Sequence, residues 1–269
     1  MRKKNNFAPF HFKIKIVIQL PMKTKNLRVI LLFFSMIFGG LFANGQTDAD
    51  QIIKKMDATV FAVKDKEAHI KMVMVNLKTN KKKIKEAIII QKGSDRKLFR
   101  YTFPKSDSGI ATLSLPNNEI YLYLPLFKKP KKITNLAQKN AFNKSDFSVS
   151  DMATKAYSEK YSAQLISTND TVFIVDLKPK SDDPAYSHLV AYINKKNYYP
   201  VQFDYYDSKN QFVKKSTYRY IKVSGYWISD VAAMEDLKKN HKTTIYMSDI
   251  KINQGLKDDL FTLENLSGK

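Results

Sequence analysis

The chain has 269 residues, of which 43% are hydrophobic and 26% charged, so one globular domain with a sizeable core is expected. The formal charge of +21 suggests nucleic-acid binding, but eight of the 46 basic residues lie within the first 45 residues, which hold no acid. Because the chain has no cysteine, disulfides, thiolate nucleophiles, zinc–thiolate sites and lipid anchoring through a cysteine are excluded.

Residues 1–45 are predicted to be a leader. From Met22, three basic residues precede a short apolar run, and small residues stand at the −3 and −1 positions before Gln46. This order is typical of a secretory signal peptide, with a retained membrane anchor as the alternative. An upstream-start artefact is one interpretation of residues 1–21. The mature domain is therefore expected to span residues 46–269.

The first element predicted in the mature chain is an amphipathic helix over residues 48–63, with Asp48 or Asp50 as its N-cap. The apolar face of this helix comprises Ile52, Ile53, Met56, Val60 and Val63.

Alternation of period two then predicts short strands separated by polar turns. These strands are expected at residues 68–77, 84–90, 99–103, 113–115, 120–124, 161–167, 171–178, 188–194, 201–206, 212–223, 226–237 and 242–253, with a basic, partly helical stretch at 128–160. We predict a mainly β (α+β) fold of roughly eleven strands. It is a single strongly curved antiparallel sheet or half-open β-barrel, with helices covering the concave face.

Several strands carry large apolar residues on both sides, for example over residues 72–75 and 121–124. A sheet with one solvated face would be polar on that side. Two interpretations stay open: both faces are covered by protein, or one face lines a cavity for an apolar ligand.

The sequence contains no pattern that indicates catalysis or metal binding. The histidines lack the spacing of a helical metal motif, the pair Asp182–Asp183 before Pro184 is typical of a turn, and no serine lies in a nucleophile elbow. The histidines are His11, His69, His188 and His241. We therefore expect no catalytic residue, metal or cofactor, and no enzyme activity.

The basic residues of the mature chain are mostly lysines clustered at predicted turns. Only Arg96, Arg100 and Arg219 are arginines, and recognition of nucleic acid would favour arginine interleaved with aromatic residues. No nucleic-acid partner is expected. Attraction to anionic lipid headgroups or to an acidic partner suits an exported protein better.

Two segments resemble the outer-membrane lipoprotein-sorting proteins related to LolA. The first runs from Tyr121-Leu122-Tyr123-Leu124-Pro125 through Ile133 to Phe142–Ser148 and Asp151-Met152, where family members carry a YLP…K…RRI…F.GSDFSY.D pattern. The second includes Gly225-Tyr226-Trp227-Ile228, Thr243-Thr244, Asp249-Ile250 and Asp258–Thr262. The resemblance covers about residues 50–266. Lys144 stands in place of the usual glycine, and Lys131 and Lys132 replace arginines.

The resemblance implies a half-open antiparallel barrel closed by helices, with a hydrophobic cavity for lipoprotein acyl chains in the periplasm. It also implies transport toward the outer membrane by a monomer, between an inner-membrane donor complex and an outer-membrane acceptor. The alternative is a periplasmic interaction or scaffold protein beside a membrane complex, with a filled cavity and no transferable cargo.

Alternation within the strands, together with the apolar face of the first helix, predicts which residues line such a cavity. The expected ligand-binding residues are Ile53, Met56, Val60, Phe99, Tyr101, Phe103, Leu113, Leu122, Leu124 and Trp227.

Overall fold

A computed structural model describes residues 40–152, 155–182 and 184–268, with side chains from residue 48 onward. Most of the predicted leader lies outside the described residues. The chain divides into a unit of Met1–Ala43 and a unit of Asn44–Lys269, and the sheet belongs to the second. The first helix, α1 (Gly40–Val60), begins before the predicted start at residue 48 and runs through the predicted cleavage position.

Thirteen strands form one antiparallel sheet. The first six are β1 (Asp65–Asn76), β2 (Lys82–Lys92), β3 (Arg96–Phe103), β4 (Ala111–Leu115), β5 (Glu119–Tyr123) and β6 (Lys131–Lys132). The other seven are β7 (Tyr161–Thr168), β8 (Val172–Pro179), β9 (His188–Asn194), β10 (Pro200–Tyr206), β11 (Phe212–Val223), β12 (Tyr226–Asp236) and β13 (His241–Ile252).

Short helices interrupt and follow the strands. The α-helical ones are α2 (Asn135–Gln138), α3 (Val149–Met152), α4 (Tyr157–Lys160) and α5 (Leu263–Leu266). Single 3₁₀ turns occur at Pro116–Asn118, Pro125–Phe127, Phe142–Lys144 and Asp258–Phe261.

The strand order is β6-β5-β4-β3-β2-β1-β13-β12-β11-β10-β9-β8-β7. Two meanders are therefore joined by the pairing of β1 with β13, which are the only neighbours in the sheet that are not consecutive in the chain. The prediction of a single antiparallel sheet is confirmed, whereas the expected count of roughly eleven strands is too low. Strand β6 was missed because two residues are too few to show alternation.

Asparagine residues make several of the hairpin turns. Asn80, Asn210 and Asn240 all have positive φ, in turns that the sequence predicted. Asparagine is favoured there because its short polar side chain tolerates the left-handed conformation.

The sheet bends so that distant strands face one another. Strands β3 and β9 line the same cavity, although seven strand steps of about 4.8 Å would separate them by about 34 Å in a flat sheet. Side chains from α1 and from strands of both meanders also share one core cluster. We call the face of the sheet toward α1 the concave face.

The opposite, convex face is also covered over β3 and β4. Leu98, Ala111 and Leu113 are buried there against Phe261 and Leu266 of the C-terminal segment. In these strands the two-sided apolar pattern therefore has a protein cover on the convex side.

The C-terminal segment is attached to the start of β1 by a buried carboxylate. The side chain of Asp65 accepts hydrogen bonds from the backbone N–H groups of Gln254, Gly255 and Leu256, at 2.7, 2.9 and 3.1 Å. Charge-assisted bonds of this kind are among the stronger ones in proteins. They fix the direction in which the chain leaves β13.

Candidate functional site

The concave face is built from apolar rows that cross β1, β2 and β3. The strand register defines two neighbouring rows, and every member of them is at most 4% exposed. The rows are Ala68–Ile89–Phe99 and Ile70–Ala87–Tyr101. Because side chains alternate along a strand, all six lie on the same face of the sheet.

Helical segments cover these rows. Ile53 and Met56 of α1 are buried in the same core cluster, and the Phe142 ring meets the Phe99 ring edge-on at 5.3 Å. Helix α4 is held to α1 because the buried Asp57 carboxylate accepts hydrogen bonds from the N–H groups of Tyr157 and Ser158, both at 2.8 Å. This carboxylate therefore caps the N-terminus of α4.

A cavity of about 210 Å³ lies between the concave face and this cover. Its wall combines β1–β3 and β9–β13 with the end of α1 and the helices α3 and α4. Its apolar lining comprises Val60, Phe61, Ile70, Ile89, Phe99, Phe147, Met152, Leu189, Ala232, Ile245 and Met247. A concave, largely apolar wall of this kind is typical of a ligand site.

Five tyrosines complete the wall, namely Tyr157, Tyr161, Tyr205, Tyr218 and Tyr220. Burial raises the pKa of each of them, so their hydroxyl groups stay uncharged at neutral pH. The ring of Tyr157 stacks on Phe203 at 5.0 Å, and the Tyr205 hydroxyl lies 3.2 Å from Ser216 Oγ. The tyrosines thus give the cavity an aromatic wall without adding charge.

Charged side chains gather in one part of the lining: Lys66, Lys97, Lys155, Lys160 and Asp151. Burial lowers the pKa of Lys66 to about 8. Burial, and then the charges of Lys66 and Lys160, lower the pKa of Lys97 to about 7. Burial also lowers the pKa of Lys160. The cavity therefore has a polar, cationic end beside its apolar rows.

A second cavity, of about 360 Å³, lies beside the Ser145-Asp146-Phe147 motif, but its walls are polar. The buried Asp146 carboxylate accepts a hydrogen bond from Thr243 Oγ1 and lies 2.7 Å from His241 Nδ1. Ser145 Oγ donates to the carbonyl of Phe147, not to His241, so these residues do not form a nucleophile–base pair. The motif instead ties the segment before α3 to β13.

The structure brings only part of the predicted cavity set to the cavity wall. Val60 and Phe99 line it. Ile53, Met56 and Tyr101 lie in the surrounding core, where they are at most 1% exposed. These three side chains support the lining residues from the surrounding core.

Leu113 was expected to line the cavity, but it lies on the convex face. The register pairs Leu113 with Leu98 and Tyr121, whereas Thr112 pairs with Phe99 and Leu122. Leu122 thus belongs to the concave side, half-buried and outside the cavity lining. Alternation fixes which residues of one strand share a face, but it cannot align one strand with the next.

Phe103 also departs from the expectation, since it is 49% exposed. A bulge in β3 places Phe103 opposite Glu86, while Tyr101 stays opposite Ala87. The extra residue reverses the alternation after Tyr101, and bulges of this kind leave no clear mark in an alternating sequence.

The last two predicted residues lie outside the lining. Leu124 is half-buried beyond the end of β5. The Trp227 ring packs on the Tyr199 ring at 5.2 Å, and that ring stacks on the cavity residue Tyr220 at 4.4 Å. Trp227 is thus one ring removed from the cavity.

The lysines of the cavity were missed by the sequence analysis, although the signal was present. Lys66 precedes Ala68 and Ile70 by even steps, and Lys97 precedes Phe99 and Tyr101 in the same way. The alternation that predicted the inward apolar residues therefore also predicts inward lysines.

The part of the chain that the structure describes contains no cluster of three His, Cys, Asp or Glu side chains placed to hold a metal ion. Nor does any described helix combine the length and the apolar character needed to cross a membrane.

Solved structures with similar folds include three bacterial proteins. One, described as an outer membrane lipoprotein-sorting protein domain from Vibrio parahaemolyticus, is 23% identical, with a TM-score of 0.74 over 82% of this chain and 99% of that one. A DUF1329 family protein from Desulfovibrio piger is 22% identical, with a TM-score of 0.76 over 82% and 99%. A LolA superfamily protein from Nitrosomonas europaea is 20% identical, with a TM-score of 0.69 over 81% and 98%.

In sequence, no curated protein matches the chain. A family model described as "Uncharacterized protein" matches residues 93–268, which is more than half of the chain. The resemblance to LolA-like proteins is confirmed by the fold. The chain belongs to the family of that model and has the fold of the LolA-like, lipoprotein-sorting proteins.

Proposed function

We propose that this protein is a periplasmic carrier that binds an acyl chain of a lipoprotein, or of another lipidic cargo, in the concave cavity. The observation that carries the proposal is the cavity itself, whose lining includes apolar and aromatic side chains from both meanders and from the helical cover. The fold shared with a lipoprotein-sorting domain supports the same function.

Binding of this kind needs no catalytic group. Each CH₂ group transferred from water to an apolar environment contributes about 0.8 kcal/mol. About five methylene groups in contact with lining residues such as Phe99, Leu189 and Ile245 therefore contribute about 4 kcal/mol, the free energy of millimolar binding. The uncharged tyrosines add flat contact surface without a charge that must be desolvated.

The size of the cavity favours partial insertion of the acyl chain. At about 210 Å³ it is smaller than the roughly 300–1,000 Å³ of typical small-molecule sites. A long acyl chain therefore enters fully only if a covering side chain, such as Met152 or Tyr157, moves away. The same observation favours the second candidate, a periplasmic scaffold protein whose cavity is filled by its own side chains.

The carrier function includes partners at both membranes. The acyl chain would arrive from an inner-membrane donor complex and leave to an outer-membrane acceptor, with the carrier acting as a monomer. The basic excess of the sequence suits contact with anionic headgroups or with acidic surfaces on those partners.

A variant that fills the cavity separates the two candidates. Ala232 lines the cavity and is half-buried, so Ala232→Leu adds side-chain volume where the acyl chain would lie. Calorimetric titration with tetradecanoyl lysophosphatidylcholine should show binding to the wild type. The affinity of this variant should be lower by a factor of about ten or more. Ala185→Leu, at an exposed position, is the matched control and should bind like the wild type.

The carrier proposal fails if the wild type binds no lysolipid. It also fails if Ala232→Leu binds as tightly as the wild type, because the lipid then lies elsewhere. Melting temperatures measured on the same samples show whether the variant is folded.

A further inference from the structure

The apolar rows of the concave face end in a polar row. The register aligns Lys66 of β1, Gln91 of β2 and Lys97 of β3, directly beside the apolar row that contains Phe99. All three side chains line the cavity. Lysines on strands normally face solvent, yet here Lys66 and Lys97 face inward at the end of an apolar surface.

A third lysine approaches from the opposite wall. Lys160 is the last residue of α4 and lines the same cavity, with its Nζ 5.6 Å from the centre of the Tyr161 ring. The charges of Lys66 and Lys160 both act on Lys97, so the three ammonium groups lie within electrostatic range of one another. We call Lys66, Lys97 and Lys160 the lysine cluster.

The cluster has little compensating negative charge. Within the described residues, Asp151 is the only acid that lines the cavity, and its carboxylate accepts a hydrogen bond from the backbone N–H of Ser148. None of the ion pairs found among those residues includes a member of the cluster. Gathering three half-buried cations with so little counter-charge costs free energy.

Another buried lysine of the concave face shows how the chain pairs such a group internally. Lys85 of β2 is 7% exposed, and its Nζ lies 2.6 Å from the Asp107 carboxylate and donates to the Asn143 carbonyl. Lys85 therefore has its counter-charge within the protein. The lysine cluster has only the Asp151 carboxylate, whose charge acts on Lys160, so Lys66 and Lys97 leave room for an anion from outside.

We propose that the lysine cluster binds the anionic headgroup of an amphiphile whose acyl tail occupies the neighbouring apolar rows. The inference rests on the proposed carrier function and adds the chemical class of the cargo, an acyl chain that ends in a phosphate or carboxylate. The arrangement matches such a molecule end to end, with cations at one end of the cavity and apolar side chains along the rest.

The pH dependence of binding follows from the groups that face the cluster. These are Lys155 and Asp151, with the uncharged tyrosines Tyr157, Tyr161, Tyr218 and Tyr220. Lys97 and Lys66 carry a proton at acidic pH, and they become neutral in that order as the pH rises through their lowered pKa values of about 7 and about 8. Affinity for an anion should therefore fall between about pH 6 and pH 9.

The test compares matched amphiphiles by calorimetric titration at low salt, below their critical micelle concentrations. The probes are tetradecanoyl lysophosphatidylglycerol, tetradecanoate, zwitterionic tetradecanoyl lysophosphatidylcholine and inorganic phosphate. The wild type should bind the two anionic amphiphiles at least about tenfold more tightly than the zwitterionic one. Their affinity relative to each other separates phosphate from carboxylate headgroups, and binding of inorganic phosphate alone identifies a free-anion site.

Variants assign the preference to the cluster. Lys66→Met combined with Lys97→Met should remove most of the preference for the anionic amphiphiles over lysophosphatidylcholine, and Lys160→Met should reduce the preference from the opposite wall. Lys71→Met, an exposed lysine on the other face of β1, is the matched control and should behave like the wild type. Because these changes remove partly buried charges, folding should survive, as melting temperatures will show.

The outcomes separate this inference from the function on which it rests. If the wild type binds no amphiphile, the carrier proposal fails. If it binds anionic and zwitterionic lysolipids equally, or if the cluster variants keep the preference, the headgroup assignment fails and the carrier proposal stands. Tight binding of inorganic phosphate with no gain from a tail also overturns the assignment, since the cluster then serves a free anion.

Discussion

At the scale of single residues, Lys97 connects the stability of the fold to pH. Its pKa is lowered in the folded protein, mainly by burial, whereas an unfolded lysine titrates near pH 10.4. The protonated side chain therefore destabilises the fold below about pH 7, and the effect fades as the pH rises toward 10 because the folded protein then loses its proton first.

This linkage predicts the behaviour of Lys97→Met. The variant should be more stable than the wild type at about pH 6, with a Tm higher by about 2–4 °C for each kcal/mol gained. The difference should shrink between about pH 7 and pH 10. Thermal unfolding followed by circular dichroism across this range measures it. A difference that does not vary with pH would show that Lys97 is solvated in the folded state.

Asp57 is the second residue with a predictable effect. Its carboxylate accepts the N–H groups of both Tyr157 and Ser158 while only 7% exposed. Asp57→Ala leaves these donors without their charged acceptor, so the free energy of unfolding should fall by about 1.5–3 kcal/mol. Urea unfolding measures the loss. Asp48→Asn, at an exposed position of the same helix, should change little, and an equal loss in both variants would contradict the assigned role.

Substitution of Leu113 tests the assignment of this residue to the convex face. It is fully buried on the convex face, so Leu113→Ala should cost about 2–5 kcal/mol of stability. Lysolipid affinity of the folded variant should not change, whereas Ile89→Ala on the cavity wall should change both. A loss of lipid affinity in Leu113→Ala would show that Leu113 lines the cavity after all.

At the scale of elements, the C-terminal helix α5 acts as a cover for β3 and β4. Leu266 is fully buried in this cover, while Leu263 in the same helix is 41% exposed. Leu266→Ala should lower the free energy of unfolding by about 2–5 kcal/mol, and Leu263→Ala by less than about 0.5. Similar small effects in both variants would show that the convex face does not need this helix.

The elements also show how far the sequence predicts the structure. Alternation located almost every strand, because a half-buried strand must alternate whatever its partner is. It did not predict the bulge that exposes Phe103, the offset that turns Leu113 outward, or the pairing of β1 with β13. These features depend on contacts between segments far apart in the chain, which no local pattern records. Lys66 and Lys97 are different, since local alternation alone places them inward.

At the scale of the whole molecule, the sheet has two free ends. One is β6, a two-residue strand made of Lys131 and Lys132, and the other is β7. The short, lysine-bearing edge at β6 discourages pairing with a second chain, and the basic excess of the sequence adds repulsion between copies. Size-exclusion chromatography with light scattering should therefore give the mass of a monomer. A stable dimer would contradict this expectation.

The cavity is the central claim at this scale, and the lipid content of the purified protein tests it most directly. Protein isolated without detergent from the organism that makes it, extracted with organic solvent and examined by mass spectrometry, should yield an acyl lipid in a near-stoichiometric amount. The Ala232→Leu variant prepared in the same way should yield much less. Extracts without lipid from a folded wild-type protein, or equal lipid from both proteins, would contradict the account.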